Sequence, residues 1–255
     1  MPEEQSALKR ENAKNHLLIR QKLIDSKEGK LGRVVDEFEH AFDILSKHNH
    51  TVTVFGSARL AQGDPVCKQA FAVGWALAKH GYAVVTGGGG GVMQAANHGA
   101  IKAGGASIGF NIHLPTEQKL NKYTTESYQF EHFFGRKVAM TLDASGYIYC
   151  GGGFGTLDEL FEIVTLTQTG TIPQVPIILF GVDFWTPLDK YIKKTLVDEF
   201  DTVEAADRDL YIITDDINEV IEKISAHTQE KAREEMKIRA EKMKKRWEKQ
   251  DAAQD

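Results

Sequence analysis

At 255 residues, with 42% hydrophobic and 26% charged residues and only 6 prolines, the chain has a globular composition at a size that one core can still serve. A formal charge of -5, the lack of any basic block interleaved with aromatics and the lack of any run near 18 apolar residues argue against nucleic-acid and membrane partners. Two cysteines, Cys67 and Cys150, in apolar surroundings and a charged start over Met1 to Arg10 without a signal-peptide pattern point to a cytoplasmic protein.

The first 50 residues read as a helical extension. Val34, Val35, Phe38, Ala41, Phe42 and Leu45 recur at helical spacing, preceded by a less regular set, Leu17, Leu18, Leu23 and Ile24. This segment would clasp the main domain or a second subunit.

From Thr51 to about residue 225 the pattern alternates between strands and helices. Thr51 to Phe55 is a buried strand ending at Gly56; Pro65 opens a helix with apolar positions Ala70, Phe71, Val73, Trp75, Leu77 and Ala78. Tyr82 to Val85 runs as a strand into five glycines, Val92 to Ala103 reads as helix and Ala106 to Phe110 as strand. Ile112 to Gln129, with Pro115, is the longest irregular stretch and a candidate lid. Phe130 to Leu142 returns to helix, Tyr147 to Cys150 is a strand ending in glycines, and Thr156 to Thr169 is a helix. Val175 to Phe180, Trp185 to Leu196 and Leu210 to Thr214 read as strand, helix and strand, with Asp215 or Asp216 capping the helix that follows. The expected fold is therefore α/β, a Rossmann-like, mostly parallel sheet with helices on both faces. Ligands in such folds sit beyond the carboxyl ends of the strands, the edge at which both glycine clusters fall.

Beyond about Ala226 the chain is a long charged helix. Between Glu230 and Asp255 it carries 9 Lys or Arg and 7 Asp or Glu, so the signs nearly cancel. Met236, Ala240, Met243 and Trp247 form a narrow apolar stripe, read as a docked or dimer-packing face.

The first glycine cluster, Gly87 to Gly91 before Val92 and Met93, lets the backbone turn sharply, and the following helix offers free N–H groups to an anion. Gly88, Gly89 and Gly91 are candidate nucleotide contacts, together with Gly56 and Ser57 at the end of the first strand; the plainer reading is a tight packing turn. Neither a P-loop lysine nor a G-x-G-x-x-G at the first strand occurs. The second cluster, Gly151-Gly152-Gly153-Phe154-Gly155-Thr156-Leu157-Asp158-Glu159, would wrap a phosphate with backbone N–H groups and the Thr156 hydroxyl. Asp158 and Glu159 fall in what reads as the first turn of the helix. They point about 100° apart, so one faces the cleft while the other supports the turn.

This second cluster resembles the P-G-G-x-G-T-x-x-E signature of the family once labelled lysine decarboxylases and now identified with the LONELY GUY cytokinin-activating enzymes. Gly87 to Met93 resembles that family's G-G-G-x-x-G-[LIV]-M motif, and Phe134-Gly135-Arg136-Lys137-Val138-Ala139-Met140 its Arg-Lys helix. Phe55-Gly56-Ser57-Ala58-Arg59 resembles the opening turn of its longer forms, and the likeness runs from about Thr51 to Thr214. It implies a phosphoribohydrolase that splits a nucleoside 5'-monophosphate into free base and ribose 5-phosphate. AMP or an N6-modified AMP is the first candidate, with GMP and pyrimidine nucleotides left open.

Carried over by position, the resemblance makes Glu159 the catalytic carboxylate and Arg136 its partner, with Lys137 beside it. Gly152, Gly153, Phe154, Gly155 and Thr156 become the phosphate turn. It also implies a homodimer or larger homo-oligomer. Gly151 departs from the pattern by replacing the signature proline, one glycine of the first run stands where longer forms often have proline, and Gln94 stands where many have Glu.

The chemistry fits these residues. Positive charge grows on the sugar as a ribosyl–base bond breaks, and a carboxylate stabilises it and activates water. Arg136 donates no proton at neutral pH but fixes a carboxylate or phosphate through its planar fork. No cofactor and no metal are expected: Lys137 lacks any accompanying pyridoxal-phosphate motif, and His113 and His132 stand apart, as rim histidines would. The rival reading is a non-catalytic nucleotide or molybdenum-cofactor carrier with the same cleft, since fold alone does not imply turnover.

Overall fold

The computed structural model describes residue 29 and residues 31–113, 119–142 and 144–251. The readings placed on Met1 to Arg10, on Leu17, Leu18, Leu23 and Ile24 and on Pro115 lie outside these residues, as do the side chains of Ala240, Met243 and Trp247.

Among the described residues seven strands, β1 (Thr51–Phe55), β2 (Ala83–Thr86), β3 (Ser107–Ile112), β4 (Glu126–Phe130), β5 (Ala144–Tyr149), β6 (Ile177–Phe180) and β7 (Ile212–Thr214), form one sheet in the order β4-β3-β2-β1-β5-β6-β7. Every pairing is parallel. The chain starts in the middle, winds out to β4 on one side and returns past β1 to build β5 to β7 on the other. The strand order therefore reverses between β1 and β5, the position at which a doubly wound sheet opens a crevice.

Side chains alternate across the pleat into two cores. Phe55, Val85, Phe110, Tyr149 and Leu179 face one layer, which holds α1 (31–45), α4 (Phe133–Thr141), α5 (Phe154–Gln168) and α6 (Val182–Tyr191). Val54, Val84, Ile148 and Phe180 face the other, which holds α2 (Pro65–Lys79), α3 (Gly91–Lys102) and the start of α7 (Ile217–Asp251). Asp64 caps α2 by accepting from Val66 N at 2.9 Å, and Asp216 caps α7 by accepting from Asn218 N at 2.8 Å. Asp215 reaches the start of α6 instead, accepting from Val182 N at 3.0 Å.

Four departures from the sequence reading have physical causes. Glu126–Phe130 is a strand inside the stretch read as irregular; it lies on the sheet edge, where alternate residues stay polar and mask the apolar signal. Val35 and Phe42, assigned to a buried helix face, are 52% and 43% exposed, because α1 packs through Glu37, Ala41 and Leu45; Trp75 is 44% exposed, because α2 packs through Ala70, Val73 and Leu77. The helix after β6 ends at Tyr191 and continues as a π-helix over Ile192–Glu199. In α7, Val220 and Ile224 dock and Tyr82 Oη donates to Thr228 Oγ1 at 3.2 Å, while Met236, the described member of the far stripe, is exposed. Among the described residues no helix is long and apolar enough to cross a membrane.

Candidate active site

The carboxyl ends of β1, β2 and β5 open into one cavity of about 740 Å³. Its floor is Gly56, Ser57 and Arg59 after β1, one wall is Gly87 and Met93, and the facing wall is Gly153 to Glu159 on α5. α4 closes the side with Phe133, Arg136, Lys137 and Met140. The loops are tied together by backbone: Ser57 N donates to Gly151 O at 3.1 Å and Val92 N to Ser57 O at 2.9 Å.

The two glycine clusters differ in what they leave free. At α3 the chain at Ser57 and Ala58 lies across the helix start, so close that a β-carbon on Gly91 would meet Ser57 O at 2.2 Å. One amide there is already taken by Ser57 O, and Gly88, Gly89 and Gly91 lie outside the cavity lining. In this structure these three residues stand back from the cavity lining, and their neighbours are protein groups. Gly88 packs on Gly109, and Asn121 Nδ2 donates to Gly89 O at 3.0 Å.

At α5 the situation is the reverse. Gly153 is the extended N-cap, the first intrahelical bond is Leu157 N to Gly153 O, and β-carbons on Gly153 or Gly155 would meet open space. No acid lies in the first turn. The free amides before Leu157 and the positive end of the helix dipole face the cavity. Because α5 starts at Phe154 rather than Thr156, Asp158 and Glu159 fall in its second turn and cap nothing, which corrects the sequence reading. Gly152 does not line the cavity; it makes room for Thr156, whose Oγ1 would lie 2.1 Å from a β-carbon there.

α4 and α5 then pair residue by residue. Arg136 Nη1 approaches Glu159 Oε1 at 3.5 Å, while Lys137 Nζ binds Asp158 Oδ2 at 3.0 Å and Glu162 Oε2 at 2.9 Å. Arg136 is held by β3 as well, its Nε donating to Phe110 O at 2.8 Å. The long contact leaves Glu159 weakly compensated. Burial, outweighing the pull of Arg136, lifts its carboxyl to about 7. Burial also lowers the Arg136 pKa despite Glu159. At Lys137 burial pulls downward, but Glu162 and Asp158 win and the ammonium is strengthened.

Of the predicted residues, the cavity brings together Gly56, Ser57, Arg136, Lys137, Gly153, Phe154, Gly155, Thr156 and Glu159. Sequence reasoning did not single out its apolar wall of Met93, Ile112, Phe133 and Met140. Each of these sits in a pattern that reads equally well as core. His132 lies at the α4 N-terminus, its Nδ1 3.2 Å from Glu37 Oε1, and outside the lining. Among the described residues no group of three or more His, Cys, Asp or Glu is placed to hold a metal.

The family model described as Possible lysine decarboxylase matches residues 93–224. A cytokinin riboside 5'-monophosphate phosphoribohydrolase of Rhodococcoides fascians is 28% identical over 67% of this chain and 87% of its own length. A probable enzyme of the same description from Oryza sativa subsp. japonica is 26% identical over 69% of this chain and 76% of its own. Among solved structures, the molybdenum cofactor carrier protein of Chlamydomonas reinhardtii superposes with a TM-score of 0.51 at 23% identity, covering 71% of this chain and 96% of that one. This last likeness concerns the fold alone.

Proposed function

We propose that this chain, which belongs to the Possible lysine decarboxylase (LONELY GUY) family, hydrolyses the base–ribose bond of a nucleoside 5'-monophosphate, releasing free base and ribose 5-phosphate. The observation that carries the reading is the placement of Glu159 one turn beyond an open helix N-terminus in the same cavity.

The 5'-phosphate binds the free amides at Gly153, Phe154 and Gly155 with the Thr156 hydroxyl. Glu159 lies about 5 Å further along α5, so the anchored phosphate brings the sugar to the carboxylate and turns remote binding energy into orientation. As the bond from C1' to the base nitrogen breaks, its electron pair leaves with the base, which takes up a proton. Ionised Glu159 faces the developing cation, accepts a proton from water, and the water oxygen bonds to C1'. Arg136 holds Glu159 and the ligand's negative charge. The base lies against Met93, Ile112, Phe133 and Met140. AMP or an N6-modified AMP is the first candidate substrate.

Decarboxylation through pyridoxal phosphate does not fit these residues: Lys137 is clamped between two carboxylates and its ammonium strengthened, the reverse of a Schiff-base amine. Phe154, 93% exposed, and Phe133, 54% exposed, both line the cavity and support a second copy covering the site in a homo-oligomer. Light scattering during gel filtration reads that state.

The decisive experiment incubates the protein with a panel of nucleoside 5'-monophosphates and measures free base by chromatography beside a Glu159→Ala control. Base release with ribose 5-phosphate, lost in the control, supports the reading. Nucleotide binding without release replaces it by a carrier.

A further inference from the structure

Among the described residues the proposed chemistry leaves one buried acid unused, and it lies outside the sheet. Glu37, on α1, is 3% exposed. Its Oε1 accepts from the backbone N–H of Glu131 at 2.6 Å and of His132 at 3.2 Å, and lies 3.2 Å from His132 Nδ1. Its Oε2 is buried with no hydrogen-bond partner among the described residues and abuts Gly135, where a β-carbon would meet it at 2.7 Å. A buried carboxylate in such a place is costly unless the field around it favours negative charge. Here that field is the start of α4. The N-cap of α4, His132, provides no side-chain cap of its own, and the amides Glu37 accepts are those of Glu131 and of His132 itself, immediately ahead of the helix and near the positive end of its dipole.

Arg136 is the fourth residue of α4, and its own N–H makes an early bond of that helix, to His132 O at 3.2 Å. The direction of its side chain is therefore set by how the first turn of α4 begins. We propose that Glu37 is a positioning residue for Arg136: from α1 it pins the backbone of Glu131 and His132, from which α4 starts, and so holds the guanidinium between Phe110 O and Glu159. Its kinetic consequence rests on the hydrolase reading; its structural consequence does not. The helix before the sheet becomes part of the site's support rather than a separate appendage.

The test compares Glu37→Leu, which removes both acceptors at similar volume, with Glu37→Gln, which keeps one in place. Backbone hydrogen exchange over residues 131–140 reads that pinning, and kcat and KM for the best nucleotide read the position of Arg136. In Glu37→Leu exchange quickens and kcat falls about 10- to 100-fold with KM little changed, while Glu37→Gln restores both toward wild type. Unchanged kcat in Glu37→Leu, or a matching loss in Glu37→Gln, overturns the proposal. Should Glu37→Leu fail to fold, Gly135→Ala takes its place: the methyl pushes on Oε2 without removing it, and an unchanged kcat there overturns the proposal equally. If the wild-type protein releases no base, the hydrolase reading falls by itself. Crystal structures of wild type and variant then decide, and a guanidinium that stays on Phe110 O in both sinks the positioning role.

Discussion

A β-carbon on Gly87 would lie 2.1 Å from Arg136 Nη2, so the first residue of the glycine run and the guanidinium on α4 occupy adjoining space with no margin. Arg136 cannot swing away freely, since Nε is tied to Phe110 O and the side chain is buried. Gly87→Ala therefore displaces the charged group or the backbone that carries the turn. The expected cost is about 1–3 kcal/mol in stability but about 100-fold in kcat/KM, because the shift falls at the reacting centre. Chemical denaturation and steady-state kinetics on the same preparation check the split. A loss of activity no larger than the loss of stability explains would argue that the glycine serves packing alone.

Thr156 tests the phosphate assignment. Its side chain is buried over Gly152 and faces the cavity, so Thr156→Val keeps the shape and removes only the hydroxyl. One hydrogen bond to a charged group is worth about 1.5–3 kcal/mol, so affinity for the nucleotide and for ribose 5-phosphate should weaken about 10- to 100-fold with kcat nearly intact. Calorimetric titration with ribose 5-phosphate isolates the phosphate end from the base. Unchanged affinity would move the phosphate elsewhere in the cavity.

These two residues also mark how far the sequence could be read. The open turn at Gly153 to Thr156 and the pairing of Arg136 with Glu159 were legible through a resemblance to known motifs, since a glycine-rich strand end followed by a helix serves packing as readily as binding. The sequence offered Gly88, Gly89 and Gly91 as ligand contacts beside a more specific second cluster. Only the path of Ser57 and Ala58 across the α3 N-terminus separates the two, and that is a contact between segments over 30 residues apart. Glu37 was invisible for a related reason. A glutamate among helix-face hydrophobics reads as a solvated residue until the start of α4 is seen to lie against it. The edge strand Glu126–Phe130 escaped because it has a sheet neighbour on one side only and keeps a polar alternation.

The acid limb of the pH profile follows from the environment of Glu159. If the ionised carboxylate is the working form, kcat/KM rises through about pH 7, the value to which burial lifts this group, and levels off above it. The substrate's own phosphate titrates near pH 6 and could imitate such a limb. Asp158 separates the two, because its charge also raises the Glu159 carboxyl. In Asp158→Asn the limb should move to lower pH; a limb that stays in place belongs to the substrate.

The same shift has a consequence for stability, with a definite sign. A carboxyl raised from 4.5 to about 7 in the folded protein takes up its proton more readily folded than unfolded, so its contribution is fully present below pH 4.5 and is lost as pH rises through 7. At one pK unit per 1.36 kcal/mol the upper bound is about 3 kcal/mol between pH 4 and pH 8. Side-chain exposure of 16% leaves most of it intact. Glu159→Gln removes the ionisation and with it this loss. The variant should be inactive, and its melting temperature should exceed that of the wild type at pH 8 by several degrees, with the gap closing toward pH 5. Scanning calorimetry of both proteins across that range measures it. A gap independent of pH would mean that Glu159 ionises near its ordinary value, and the acid limb assigned to it above would then need another group.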